Sequence, residues 1–328
     1  MLDHRIPRRD GEILLLNSIP CQVVGNAVIQ EDVIAYPARV SGLDGWNDIL
    51  IRELYPRAPD GLIFRCETGG LQCTAAGKRL LAEKREVFLR GQRLEQRQLG
   101  RLPTEAGAKS FYCDAYGTSY VVRIFPRSAT CETLLEQNPN GLPLEEAVSL
   151  ILKLLDILED IHSSGLLHLN ILPSSIHLLP GGALVLDYIQ LWDQKTVDLP
   201  ENLGYSLSYT APELRLHNWN EIGPSTDLYA ATALLYHLIF GHSPQRNHLF
   251  SQPQSNVLPV LLARMFHKGL HLLPRKRFAT AAELRTTLLL LERQGSYRPP
   301  EMNGSTPFRK STFEKKRSEQ HDGLRTQF

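Results

Sequence analysis

The stretch IHSSGLLHLNILPSSIHLLPGGALVLD, from Ile161 to Asp187, lies where one sequence pattern gives way to another. Ahead of it, Val148, Ile151, Leu155, Leu158 and His162 recur at helical spacing. Pro143 with Glu145 and Glu146 suits the start of that helix, and Gly165 ends it. Within the stretch, His168, Asn170, Ser175 and Asp187 stand in a segment with no helical period. Beyond it, helices are expected from Thr226 to Phe240, Val257 to His267 and Ala281 to Leu291. From Cys21 to about Phe125 the pattern is short β-like runs (CQVV, VIAY, DILIREL, GLIF, SYVVRIF) around one helical stretch near Lys84 to Gln98. Gly42 and Gly45 flank Leu43-Asp44 and read as the turn between two strands. The chain therefore reads as α+β, sheet-rich first and helical second.

Composition narrows the class. A chain of 328 residues holds one two-part domain plus tails and buries a sizeable core. A formal net charge of +1 provides no field that would draw the chain to nucleic acid or to a membrane surface. No apolar run approaches the ~18–20 residues that span a bilayer, and the opening MLDHRIPRRDGEILLL lacks the apolar core of a signal peptide. Cys21, Cys66, Cys73, Cys113 and Cys131 are scattered without a Cys-x-x-Cys pair, which fits reduced thiols in a cytoplasm. Residues 1–20, basic at Arg5, Arg8 and Arg9, read as a loose arm. Residues 295–328, polar and with a basic cluster from Arg309 to Arg317, read as a disordered tail whose charges are solvated.

Several motifs in order give the pattern a family likeness. His168-Leu169-Asn170 is followed by Asp187-Tyr188-Ile189, then by GYSLSYTAPE ending in Ala211-Pro212-Glu213. Asp227-Leu228-Tyr229-Ala230 then leads an apolar helix to Gly241, and Arg277 follows in LLPRKRFATAAELRTTL. This order resembles the catalytic loop, metal-binding turn, Ala-Pro-Glu closure, buried helix and terminal Arg of the protein kinases. ILIRELYPRAPDGL resembles the strand of the ATP-binding Lys, with Arg52 at the Lys position. That strand and Phe88-Leu89-Arg90 are similar to one bacterial branch of the Hanks-type serine/threonine kinases. The resemblance spans about Val23 to Arg293. It implies a two-lobed fold, with a small β-rich N-lobe over 21–127 and a larger helical C-lobe over 128–294.

It also implies that most of the chemistry is missing. The kinase pattern would place Asp at 170, Lys at 172 and Asn at 175; the chain has Asn170, Leu172 and Ser175. A neutral amide cannot take up a hydroxyl proton at pH 7, a contribution worth ~10²–10⁴-fold in rate, and Asn170 reads more simply as a loop residue. Ser175 is a weak metal ligand. The carboxylate that should pair with the Lys is replaced by Gly91, so Arg52 is expected as a surface arginine on a strand, with anion binding as the lesser alternative. No Gly-x-Gly-x-x-Gly precedes Arg52; between Pro20 and Arg52 stand Gly25, then Gly42 and Gly45, at no such spacing. Arg123, near the gatekeeper position, would obstruct an adenine pocket if it points inward. Asp187 is kept and could hold Mg2+, although structural hydrogen bonding is the simpler role.

The residues that build the frame are present. The resemblance implies that Asp227 anchors the loop, that His168 stacks beneath Tyr188, and that Glu213 and Arg277 form a partly buried ion pair. The expected function is therefore a degenerate kinase, a pseudokinase acting as a regulatory or protein-binding module in the cytoplasm. Its partners would be proteins, with no membrane span and no nucleic acid. No cofactor is expected; ATP at Arg52 and Mg2+ at Asp187 are the alternative. A divergent serine/threonine kinase with a non-standard site is the rival reading.

Overall fold

Alternation of β-branched and aromatic residues builds the first half. In Val33–Gly42 and Gly45–Leu54 the ten residues of each strand pair antiparallel along their whole length, and Gly42 faces Gly45 across the turn. Ile34, Tyr36, Ala38, Ile49 and Ile51 alternate onto one face and close a core with Leu14, Leu16 and Val23. The opposite face carries Arg52, which lies opposite Val121, and Arg123, which lies opposite Leu50. Pleating thus aims both arginines the same way, two residues apart along neighbouring strands.

The computed structural model describes residues 3–42, 45–124, 128–195, 208–244 and 260–293, all within one compact unit that spans 1–297. The N-terminal strands are β1 (Ile13–Leu16), β2 (Ile19–Val23), β3 (Val28–Ile29), β4 (Val33–Gly42) and β5 (Gly45–Leu54). A small hairpin follows, β6 (Ile63–Arg65) with β7 (Leu71–Cys73), then helix α1 (Ala75–Gly100), β8 (Lys109–Ala115) and β9 (Thr118–Ile124). One sheet takes seven of these strands in the order β1-β2-β4-β5-β9-β8, with β3 paired on β4.

The second half opens with β10 (Ala129–Thr130), α2 (Cys131–Gln137), α3 (Leu144–Ser163) and β11 (Leu166–Leu167). β12 (Ile176–Leu178), β13 (Leu184–Leu186) and β14 (Trp192–Asp193) surround the loop, and α4 (Pro212–Arg215) to α7 (Ala281–Arg293) complete it. In α3, Ala147, Val148, Ile151, Leu154, Leu155, Leu158 and Ile161 form an apolar stripe at helical period. That stripe packs on α5 (Pro224–Phe240), which is buried along most of its length. Gly241 caps α5 in the left-handed region at φ 71, where any Cβ would strike the Pro139 carbonyl. α6 covers Val260–Gly269. The architecture is the two-lobed α+β fold, with a curled antiparallel sheet in the first lobe and a helical second lobe.

Two expectations need correction. Residues 1–20 are not a loose arm over the part described. β1 joins the sheet, Arg5 donates to the carbonyls of Gln30, Glu31 and Tyr55, and Arg8 is buried with its guanidinium on Glu12 and the Tyr120 hydroxyl. Arg5 and Arg8 are clamps on carbonyl, hydroxyl and carboxylate oxygens, the geometry an arginine fork favours. The helix expected near Lys84 to Gln98 starts earlier, at Ala75, where the Thr74 hydroxyl caps the Gly77 amide. The tail over 295–328, the start of α6 expected at Val257, and Phe125 lie outside the described residues.

Candidate functional site

Where β5, β9 and α1 converge on the turn at Asp187, three buried charges, Arg52, Glu95 and Arg123, meet the half-buried Asp187. Arg52, 3% exposed, donates to one oxygen of Glu95 on α1 and to the backbone carbonyl of Tyr188. Arg123, 1% exposed, donates to the other oxygen of Glu95 at 2.9 Å and to the Leu186 carbonyl at 3.2 Å. Its guanidinium also pairs with Asp187. His177 places Nε2 3.0 Å from Asp187 Oδ1, and its Nδ1 lies 3.2 Å from the Ser128 hydroxyl. Two cations and two carboxylates cancel in formal charge. Burial holds the Arg123 pKa down at about 10 despite the Glu95 carboxylate. Burial, with help from Arg123, pushes His177 down to about 4, so its ring is neutral near pH 7.

This arrangement corrects two expectations and answers a third. Arg52 is not a surface arginine. Its carboxylate partner is not missing, since Glu95 supplies it one helical turn beyond Gly91. Arg123 does point inward, as the obstruction argument required. At Gly91, α1 packs so closely on Leu191 that a Cβ at position 91 would lie 3.0 Å from Leu191 Cδ1. A side chain there would press on the end of the Leu191 side chain, which glycine leaves room for. Residues 91, 95 and 98 share one helix face, and Gln98 accepts the buried Tyr188 hydroxyl. Sequence reasoning missed Glu95, Gln98 and His177. An i, i+4 scan of α1 from Gly91 would have found Glu95.

The loop itself is held from below. Asp227 at the start of α5 accepts the amides of His168 at 2.9 Å and Leu169 at 2.7 Å, and His162 Nε2 lies 2.9 Å away. Burial alone would raise its carboxyl, but the His162 hydrogen bond and the neighbouring rings outweigh that and hold it below the usual range. Leu169 sits at φ 60, a strained backbone for a branched residue, and these bonds fix it. His168 donates from Nε2 to the Asp187 carbonyl at 2.7 Å and accepts the Asn170 amide on Nδ1 at 3.3 Å. Its ring meets Tyr188 edge to face with centroids 6.3 Å apart, and burial pushes its pKa down to about 4.

The remaining positions are spent on structure. Asn170 is exposed at the loop surface. The Ser175 hydroxyl accepts from the Leu172 amide at 3.0 Å and donates to the Leu172 carbonyl at 2.8 Å, closing a tight turn. Leu172 packs on the C-lobe core. The segment ahead of β4, where a phosphate cradle would lie, folds β3 onto β4 instead. Its last residue, Asp32, exchanges hydrogen bonds with Gln190 just beyond Asp187 and pairs with Lys84 at 3.2 Å. Further down, Glu213 and Arg277 form two bonds of 2.7 Å each, both buried, with the Thr226 hydroxyl on Glu213 and the Tyr229 ring 4.8 Å from the guanidinium. The activation-segment counterpart from residue 196 to 207 lies outside the described residues.

Whether these groups fit Mg2+ and a nucleotide can be judged from their donors. Mg2+ wants hard oxygen ligands free to take octahedral positions. Asp187 is already engaged by a guanidinium and an imidazole, and the Ser175 hydroxyl by its own turn. Arg52, at the position the resemblance gives to the ATP-binding Lys, is shared between Glu95 and a carbonyl. The residues present do not fit the metal–nucleotide pair in this arrangement. Among the described residues no cluster of His, Cys, Asp or Glu forms a metal site, and no helix is long and apolar enough to cross a membrane.

No protein-family model matches the chain. A probable serine/threonine-protein kinase of Clostridium perfringens (strain 13 / Type A) is 25% identical over 183 residues, covering 51% of this chain and 26% of that protein. The chain therefore matches about a quarter of that relative's length. Among solved structures, PpkA-294 in its apo form gives a TM-score of 0.48 at 21% identity, over 82% of this chain and 95% of that one. The chain is protein-kinase-like: it pairs the two-lobed α+β fold with sequence similarity to a serine/threonine kinase.

Proposed function

We propose that this protein is a pseudokinase, a kinase-like domain that serves as a regulatory or protein-binding module in the cytoplasm. One observation carries the reading. The two kinase-type charges the sequence keeps, a cation at Arg52 and Asp187, are both consumed by buried partners within the chain, Glu95 and Arg123. Phosphoryl transfer relies on positioning and on charge offered to the phosphates, and in this network the opposed charges cancel. The loop adds no base at Asn170 and no cation at Leu172. What remains is a frame held by Asp227 and by the Glu213–Arg277 pair, which suits a surface that binds a protein rather than a site that turns over.

One observation favours the rival, a divergent serine/threonine kinase. The Arg52–Glu95 pair joins strand to helix as the Lys–Glu pair of a working kinase does. An assay of γ-phosphate transfer from ATP to the protein itself and to a generic acceptor separates the two. The pseudokinase reading predicts transfer at background for the native chain and for Asp187→Ala alike. Transfer that vanishes in Asp187→Ala would establish the rival.

A further inference from the structure

We infer that Arg123 is a built-in replacement for the divalent cation this fold would otherwise place beside Asp187, and that it closes the site without any ligand. The inference rests on the pseudokinase reading and goes beyond it, because it assigns one residue a conformational role. The guanidinium comes from β9 in the sheet and reaches Glu95 on α1, the Leu186 carbonyl on β13 and the Asp187 carboxylate. One cation therefore ties three separate segments. A metal would have to be recruited from solution to do so, whereas a guanidinium is covalently part of the chain and always charged at neutral pH. Its planar fork also holds two carboxylates in one fixed geometry, which a compact ammonium does not provide.

The surroundings are built for that cation. Arg52 takes the second oxygen of Glu95 and the Tyr188 carbonyl, so Glu95 is divided between the two arginines. His177 covers the Asp187 oxygen that Arg123 also touches. Removing the Arg123 charge leaves Asp187 and half of Glu95 uncompensated beside a backbone carbonyl. That is an oxygen-rich, net negative pocket, the kind a divalent ion takes. Loss of the arginine should therefore create the metal dependence that the native chain lacks.

Thermal unfolding of the full chain, with and without millimolar Mn2+, tests this. The native protein should show no response to Mn2+. Arg123→Met should melt lower by on the order of 5–10 °C, since a buried charge loses its partner. Mn2+ should then restore part of the loss, and the restoration should vanish in Arg123→Met with Asp187→Ala. A methionine variant that melts like the native chain, or that responds to Mn2+ no more than it does, overturns the inference. Should the methionine variant be recovered unfolded, Arg123→Lys carries the test. It keeps the charge but loses the fixed fork that spans Glu95 and Asp187, and is expected to fold, melt lower and gain a smaller Mn2+ response; a native melting curve with no response overturns the inference. Phosphotransfer by the native chain would instead defeat the pseudokinase reading while leaving these melting comparisons intact.

Discussion

Arg52 on β5 pairs with Glu95 on α1, a turn beyond Gly91, the position the kinase pattern gives to the carboxylate. Both side chains are nearly inaccessible to water, so the pair is a matter of stability as well as chemistry. Glu95→Gln would leave Arg52 and Arg123 facing a neutral amide. Breaking one side of a buried pair costs roughly 3–5 kcal/mol, and denaturant unfolding should show a loss of that order. Arg52→Met together with Glu95→Gln should lose less than the sum of the two single changes, because the partners are coupled.

Glu213 and Arg277 should behave similarly in the C-lobe. Arg277→Met strands a carboxylate that is 1% exposed and leaves the His271 and Leu272 carbonyls without their donor. A loss of about 3–5 kcal/mol is expected from the same reasoning. Glu213→Gln with Arg277→Met should recover part of it. A double variant as unstable as the sum of the singles would show that the two do not act as a pair.

The pH dependence follows from two rings, one buried and one half-buried. His168 and His177 are held neutral by burial, with folded pKa values of about 4 against an ordinary 6.5. Between those values the unfolded chain takes up protons that the folded chain refuses, so stability falls as pH drops. It should be level above about pH 6.5 and decline toward pH 4, by up to about 3 kcal/mol per ring. Urea midpoints measured from pH 7.5 to pH 4 check this, and His177→Gln should flatten part of the decline.

Restoring the loop should not restore activity. Asn170→Asp with Leu172→Lys and Ser175→Asn returns the kinase residue types to the loop, yet Arg123 would still occupy Asp187 and Arg52 would still be spent on Glu95. Phosphotransfer by this triple variant should stay at background. Activity above background would mean that the buried network opens to nucleotide on its own.

Much of the frame was legible in the sequence because it follows local rules. The α3 stripe, the Gly42–Gly45 turn and the helix ending at Phe240 all come from spacing and turn residues that act within a few positions. The site was less legible because its partners are distant in sequence. Arg123 and Asp187 are 64 positions apart, and nothing near either residue announces the other. Glu95 escaped because the family pattern was laid on Gly91, one helical turn short of the carboxylate that meets Arg52. The N-terminal arginines misled for a related reason. Arg5 and Arg8 look solvated until the fold brings carbonyls and Glu12 around them.

Thermal unfolding of the native protein with millimolar ATP, once in Mg2+ and once in EDTA, tests the central claim most directly. A ligand at 100 times its Kd adds about 2.7 kcal/mol to native stability, which should raise Tm by roughly 4 °C in a domain of this size. A site closed by Arg52–Glu95 and Arg123–Asp187 predicts the same Tm in both buffers. A rise that needs Mg2+ and disappears in Asp187→Ala would contradict it, and would show that the carboxylate still serves a metal and a nucleotide.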